Sequence, residues 1–433
     1  MSQSTLKQGV TQWRGYTLLL LTLVYTFSVL DRFILGILLP QIKQELLLND
    51  ALLGLLTGAA FAIFYASLGL PIARLADRYG RKHIIAICLA IFSVMTAVCG
   101  MANSFLGLFL ARVGVGIGEA GTTPAATSIL SDLYNKQQRS GALAIVSVGG
   151  NIGILIGFVV GGFVAAHYGW RAGFFVIGVP GVVLALVLFL TMPEPVRGAV
   201  DGLVEDDTKE VPDLRTTLGF LLQQKSFVWI LAGLTLMVGL STTTITWLPS
   251  MLTRSHGMAA DQVGVTLGLA IGLLGPIGTV LLGGFLANHL SVRDLRWGAW
   301  LSAIGALILV PCYVFLSLAN SGTMAMTAYF IPAVLGIFFQ GPSLALLQSV
   351  TPVTMRATSA AIALFVANMI GLGFGPLSVG LLSDGLNASY GVESLRYALL
   401  IVPGMAMIAS YVYWRGSYFI FEDISKADAI SQS

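Results

Sequence analysis

Residues 73 to 82 read Ala73-Arg74-Leu75-Ala76-Asp77-Arg78-Tyr79-Gly80-Arg81-Lys82. Five of these ten side chains are charged, and the stretch stands between two long apolar runs, 51–73 and 83–103. A turn this short and polar, with Gly80 to permit a tight reversal, reads as a loop joining two membrane-spanning helices. The rest of the chain agrees. Apolar residues make up 56% and charged residues 10%, where a soluble domain carries about 25% charged. A run of about 20 apolar residues crosses a bilayer as helix. Twelve such runs are present: 15–39, 51–73, 83–103, 105–131, 140–166, 170–192, 227–252, 262–288, 297–318, 323–348, 356–382 and 396–414. They are too long and too evenly apolar for barrel strands. The expected fold class is an all-α integral membrane protein with twelve transmembrane helices.

Orientation follows from the basic residues. With both termini cytoplasmic, seventeen of the 23 Lys and Arg fall in inner segments, four in outer loops, and Arg32 and Arg112 within the apolar runs. That bias predicts a multi-pass plasma-membrane protein, of a bacterial inner membrane given its unadorned loops. The net charge of +3 reflects this bias and gives no sign of a nucleic-acid partner. The first run is long enough to span and lacks a processing site, so it reads as a span rather than a cleaved leader. Cys88, Cys99 and Cys312 all lie in apolar runs, which suits neither a disulfide framework nor a metal site.

One polar stretch interrupts the chain, from Pro193 to about Lys225, with Asp201, Glu205, Asp206, Asp207, Glu210 and Asp213. Such a segment reads as a solvated linker. The expected domains are a six-helix bundle over 1–192, a cytoplasmic linker over 193–225, and a second six-helix bundle with a cytoplasmic tail over 226–433. The halves repeat weakly. Leu75-Ala76-Asp77 recurs 211 residues later as Leu286-Ala287-Asn288, and Arg139 and Asn151 recur 217 residues later as Arg356 and Asn368. A duplicated six-helix unit is a recurrent design of secondary transporters, with the substrate held between the halves.

Four charged residues sit deep inside the apolar runs, away from their ends, all in the first half: Asp31, Arg32, Arg112 and Glu119. A charge at membrane depth costs about 2.5 kcal/mol even on the gentlest scale, so such groups pair and face a cavity. Two acids and two bases neutralise one another. Arg112 and Glu119 are seven residues apart and share a helix face, with Gly116 between them to admit a close neighbour. Tyr25, Ser28, Asp31 and Arg32 form a polar stripe on the first helix. The alternative reading is a static buried network that only fixes packing. Gly149, Gly153, Gly157 and Gly161, at four-residue intervals, read as a face for close helix contact.

The stretch 73–82 resembles the loop 2–3 signature of the major facilitator superfamily, G-x-x-x-D-R-x-G-R-R/K, with Ala73 in place of the first glycine. Arg112-Val113-Gly114-Val115-Gly116-Ile117-Gly118-Glu119 resembles the same superfamily's fourth-helix signature, R-x-x-x-G-x-G. The resemblance implies two pseudo-symmetric six-helix bundles. It also implies a conformational latch made by Asp77 with Arg78, Gly80 and Arg81, for which Arg356 is a reasonable partner. Asp31-Arg32-Phe33-Ile34-Leu35-Gly36, Gly116-Ile117-Gly118-Glu119-Ala120-Gly121 and Ser131-Asp132-Leu133-Tyr134 are similar to the spinster branch of lipid transporters. Organic-anion:proton symporters of the same superfamily share the D-R pair and the R…G-x-x-E-A pattern, and Pro124 fits them equally.

The implied function is secondary active transport by alternating access, coupled to protons through Asp31 and Glu119. Arg32, Arg112, Tyr25 and Ser28 are the candidate substrate contacts of the first half. Thr242, Trp247, Phe339, Gln340 and Asn368 are those of the second, a wall of hydroxyls and aromatics with no ionisable residue in its spans. A cavity charged on one side and apolar on the other suits an amphipathic lipid, a lysophospholipid or a sphingoid phosphate. The alternatives are an organic anion:proton symporter and a drug or metabolite exporter. The four histidines lie far apart, and neither a nucleophile motif nor a phosphate-cradling loop is present. An enzyme and an ATP-driven pump are therefore disfavoured, no cofactor is expected, and a functional monomer in contact with membrane lipids is.

Overall fold

The computed structural model describes residues 3–195 and 213–432, apart from the side chains of 3–12, 70, 73, 77, 136 and 430–432. The acidic residues 201–210 of the linker and the side chain of Asp77 therefore lie outside the described residues. Every regular element among those described is a helix.

The first half comprises α1 (Gln3–Leu46), α2 (Asp50–Thr57), α3 (Ala59–Tyr79), α4 (Arg81–Cys99), α5 (Phe105–Glu119), α6 (Thr122–Leu133), α7 (Lys136–Tyr168) and α8 (Trp170–Thr191). The second and fourth apolar runs are thus each two helical pieces, broken at Gly58 and at Ala120-Gly121. After the linker come α9 (Leu214–Gln223), α10 (Lys225–His256) and α11, which spans Ala260–Ser291 and passes through π-helical turns at Ala270–Leu274 and Thr279–Leu286. The chain continues through α12 (Trp297–Ser317), α13 (Gly322–Leu335), α14 (Gln340–Ser349) and α15 (Arg356–Val366). A π-helical turn, Ala367–Leu372, leads into α16 (Gly373–Tyr390), followed by α17 (Ile401–Ser417) and α18 (Ile420–Gln432).

Local chemistry sets the ends. Asn49, Ser104, Asn135 and Ser321 each accept an amide hydrogen bond as N-caps. Gly257, at φ +64, closes α10 in the left-handed conformation. Gly80, at φ +92, makes the reversal between α3 and α4. The apolar stretch Val353–Ser417 runs 65 residues without a long polar break. At 1.5 Å per residue one helix of that length would measure about 100 Å, three times the hydrocarbon thickness. Gly391, at φ +54, begins a 3₁₀ turn that separates α16 from α17, so this stretch crosses twice and the spans number twelve.

The helices gather into two units. One comprises Met1–Leu48, Ala60–Asp206 and Ala259–Gly268; the other comprises Asn49–Ala59, Asp207–Met258 and Leu269–Ser433. They follow the two sequence halves except at 49–59 and 259–268, each grouped with the opposite half. In the first unit α1 lies along α7, and α4 lies along both α5 and α8. In the second, α17 packs on α10 and α12, and α2 packs on α16. The linker also departs from expectation, since its last part, 214–223, is helical rather than a solvated coil.

The glycines of α7 are where α1 comes closest. A Cβ at Gly153 would stand 2.5 Å from the carbonyl oxygen of Thr26, a backbone atom that cannot swing aside. Gly141, on the same helix, has nothing within 4 Å of its would-be Cβ. Gly153→Ala is expected to destabilise the protein by about 1–3 kcal/mol through overpacking. Gly141→Ala should be neutral or slightly stabilising, because alanine is the better helix former. Thermal unfolding of both variants in detergent checks this. Equal midpoints would contradict the tight α1–α7 seam.

Candidate functional site

The four embedded ionisable residues meet in the first unit and form two ion pairs between α1 and α5. Asp31 and Arg32 are consecutive, so their side chains leave α1 about 100° apart, and each finds its own partner. Arg112 Nη1 donates to Asp31 Oδ2 at 3.0 Å, with Asp31 0% and Arg112 1% exposed. Arg32 Nη2 donates to Glu119 Oε2 at 2.6 Å, with Glu119 0% and Arg32 22% exposed. The set is neutral overall, and only Arg32 reaches an open surface.

The two carboxylates differ in their remaining partners. Both oxygens of Asp31 are engaged, since Thr96 Oγ1 lies 2.5 Å from Oδ1. The same hydroxyl is 2.8 Å from the carbonyl of Phe92. A hydroxyl has one proton and two lone pairs, so Thr96 serves either state of Asp31. It donates to the carboxylate, or it donates to Phe92 and accepts from the carboxylic acid. Glu119 is lopsided: Ser28 Oγ donates to Oε2 at 2.8 Å beside Arg32, while Oε1 is buried without a partner.

Two aromatic rings complete the site. Phe61 and Tyr65 stack at 5.2 Å, and the Arg32 guanidinium lies 4.7 Å from the first ring and 5.0 Å from the second. The Arg112 guanidinium is 5.7 Å from Phe61. Phe61 reaches this position because α5 carries Gly116, whose would-be Cβ stands 2.8 Å from the Phe61 carbonyl oxygen. Tyr25 is within electrostatic range of Arg32 and Glu119. It also lines a cavity of about 150 Å³ together with Val24, Thr122, Ala126 and Ser147.

The candidate residues of the second half have other surroundings. Thr242 bonds to its own helix, at the carbonyls of Val238 (2.8 Å) and Gly239 (3.1 Å). Trp247 is fully buried and donates to the Pro376 carbonyl at 2.9 Å, and Phe339 is also buried. These two hold helices together instead of lining an open wall. Gln340 is exposed at the start of α14, and Asn368 is half-buried in the π-helical turn after α15.

The latch set is rearranged as well. Arg81, expected to act toward the second half, is buried within the first unit. Its guanidinium bonds Asp132, Ser128 Oγ at 3.1 Å, Glu194 Oε1 at 3.3 Å and the Pro195 carbonyl at 3.0 Å. It pins the end of α6 and the start of the linker to α4. Arg78 is exposed beside the ring of Tyr79. Arg356 donates to the carbonyls of Gln348 and Thr351 in the second unit.

Thr96, Phe61, Tyr65, Asp132 and Glu194 were not expected from sequence, because threonine and aromatics in apolar runs look like any other core residue. The second unit holds a further unexpected cluster. Asp50 accepts from Arg254 Nη1 at 2.9 and 3.0 Å and from Ser383 Oγ at 2.7 Å. Asp384 caps the amides of Asp50 and Ala51 at 2.9 and 2.8 Å. Asn49-Asp50 before an apolar run is an N-terminal helix signal that foretells the cap, though not its partners.

Removing one member of a buried pair strands the other charge, at a cost of about 3–5 kcal/mol. Arg112→Ala is therefore expected to unfold well below wild type, while the neutral pair Asp31→Asn/Arg112→Gln should recover much of the loss. Thermal unfolding in detergent decides it. A double variant less stable than the single one would contradict the pairing.

The sequence profile of the Major Facilitator Superfamily matches residues 21–376. The chain is 34% identical to an MFS-type efflux pump of Mycolicibacterium smegmatis, over 93% of this chain and 92% of that protein. It is 27% identical to protein spinster homolog 1 of Xenopus laevis, over 99% of this chain and 86% of the other. A crystal structure of a bacterial homolog of the human lysosomal transporter Spinster, inward-facing and unoccupied, superposes with a TM-score of 0.87. That pair shares 30% identity over 95% of this chain and 98% of the other. Twelve spans, the loop 73–82, the fourth-helix signature and these likenesses agree: the chain belongs to the major facilitator superfamily and is a spinster-like, multi-pass membrane transporter, not an enzyme.

Proposed function

We propose that this transporter moves an amphipathic lipid with an anionic head group, of lysophospholipid or sphingoid-phosphate type, by alternating access coupled to protons. The observation that carries the reading is the asymmetry of the two ion pairs. Both carboxylate oxygens of Asp31 are bonded in the sealed Asp31–Arg112 pair, while Glu119–Arg32 has a partly exposed base and one unpartnered carboxylate oxygen.

The coupling follows from charge balance. The four groups sum to zero, so an anionic head group on Arg32 leaves the site with an uncompensated negative charge. A buried charge of that kind is expensive, and a proton on Glu119 removes it. Glu119 then releases Arg32, whose planar guanidinium suits a phosphate, and Ser28 and Tyr25 stand beside it. The stacked pair Phe61–Tyr65 keeps the freed guanidinium in place by cation–π attraction. Asp31 is the second proton carrier, with Arg112 as counter-charge and Thr96 as a partner for either protonation state. In the second half Thr242, Gln340 and Asn368 are the proposed contacts; Trp247 and Phe339 support them from behind. Asp77, with Arg78, Gly80 and Arg356, is the proposed latch. The protein is proposed to work as a monomer in a bacterial inner membrane with both termini cytoplasmic.

The spinster homologs support the lipid reading. The 34% likeness to an MFS-type efflux pump favours a second one, export of a drug or metabolite through the same proton-coupled site, and organic anion:proton symport uses it too. Flux into proteoliposomes under an imposed pH gradient separates them, comparing a lysophospholipid, a sphingoid phosphate, small organic anions and a lipophilic drug. Lipid flux is expected, and flux of the small anions or the drug alone would replace the lipid reading. Glu119→Gln, and Asp31→Asn combined with Arg112→Gln so that the buried pair stays neutral, should each abolish pH-driven flux in folded protein. Full coupled activity in both would overturn the coupling scheme.

A further inference from the structure

Residues 214–223 belong by composition to the solvated linker, yet they fold as α9, with Asp213 as N-cap. At 100° per residue, Leu214, Leu218 and Leu222 form a stripe about 80° wide along this helix. They are 55%, 41% and 66% exposed. Thr217 and Leu221, on one edge of the stripe, are buried, and α9 rests on α10 and α15. Arg215 borders the other edge, and Thr216, Gly219 and Gln223 occupy the far side.

The position of α9 says what covers the leucines. It ends at Gln223, and Lys225 begins a 32-residue membrane span. Gln224 between them is extended (φ −79°, ψ 104°), so α9 leaves the line of α10. The stripe therefore lies where hydrocarbon meets water. Among the described residues the charge there is net basic: Arg215, Lys225 and Arg356 stand on α9 and on the first residues of the two helices it touches, against Asp213 and Glu422, the latter within electrostatic range of Lys225 and bonded to Lys426 at 2.7 Å. Asp423 approaches from α18 but is fully buried on the amide and hydroxyl of Ser226.

We propose that α9 is an interfacial anchor. Leu214, Leu218 and Leu222 enter the leaflet on the Lys225 side of the membrane, and Arg215, Lys225 and Arg356 bind anionic phospholipid head groups at its surface. A short helix with an apolar face and basic borders lies in the interface plane in this way, and each basic residue near an anionic surface strengthens attachment about fivefold.

The test uses the full-length protein in vesicles, with Cys88, Cys99 and Cys312 replaced by alanine and a bimane label on Leu218→Cys or on Gln223→Cys. Vesicles contain brominated phosphatidylglycerol or brominated phosphatidylcholine at equal mole fraction. Bromolipid should quench the label at 218 strongly and the label at 223 weakly. Phosphatidylglycerol should quench at 218 roughly twice as well as phosphatidylcholine, and Arg215→Gln/Lys225→Gln should erase that preference. No quenching at 218 by either lipid would overturn the anchor. Equal quenching by the two lipids would overturn its anionic selectivity.

Discussion

Asp31 and Arg32 are neighbours on one turn of α1, and everything in the first unit is arranged so that both are neutralised at membrane depth. Consecutive residues point in different directions on a helix, so two partners are needed, and α5 supplies them seven residues apart. That spacing is two turns, which puts Arg112 and Glu119 on one face but at different heights. Two separate pairs result, instead of one four-membered cluster. The desolvation cost of each carboxylate is met by its own arginine.

The surrounding packing serves this arrangement. Gly116 lets the backbone of Phe61 come against α5, which places an aromatic face beside both guanidinium groups. Gly153 brings α7 against α1 near Thr26, two residues before Ser28. Rigid seams on both sides of α1 leave few ways for the charges to relax without exchanging partners. In such a site protonation is a change of bonding pattern rather than a gradual shift, which is what a coupled carrier requires. Arg81 is anchored with similar rigidity, through Asp132 and Glu194, within one unit. A latch at the loop 73–82 would thus involve Asp77 and Arg78, with Arg81 as its fixed base.

Much of this was legible in the sequence, for physical reasons. Twelve spans follow from the length of apolar runs, and Asp31, Arg32, Arg112 and Glu119 stand out because charge in lipid is rare. Their pairing was not legible, since sequence spacing gives a helix face and not which neighbour crosses it. Thr96, Phe61 and Tyr65 carry no signal, being ordinary residues of apolar helices. Trp247 and Phe339 misled because an aromatic at helical spacing looks the same whether it lines a cavity or fills a core. The helix at 214–223 was hidden by the acidic residues before it, although Leu214, Leu218 and Leu222 already had its period.

Coupling of the proposed kind requires that an anionic head group and a proton occupy the Arg32–Glu119 site together. Proton exchange on binding tests it most directly: lysophospholipid is added to purified protein in weakly buffered detergent at neutral pH, and the pH change is read. Uptake of protons is predicted for the wild type, and its loss for Glu119→Gln with binding retained. Saturable binding by the wild type without proton uptake would contradict the account.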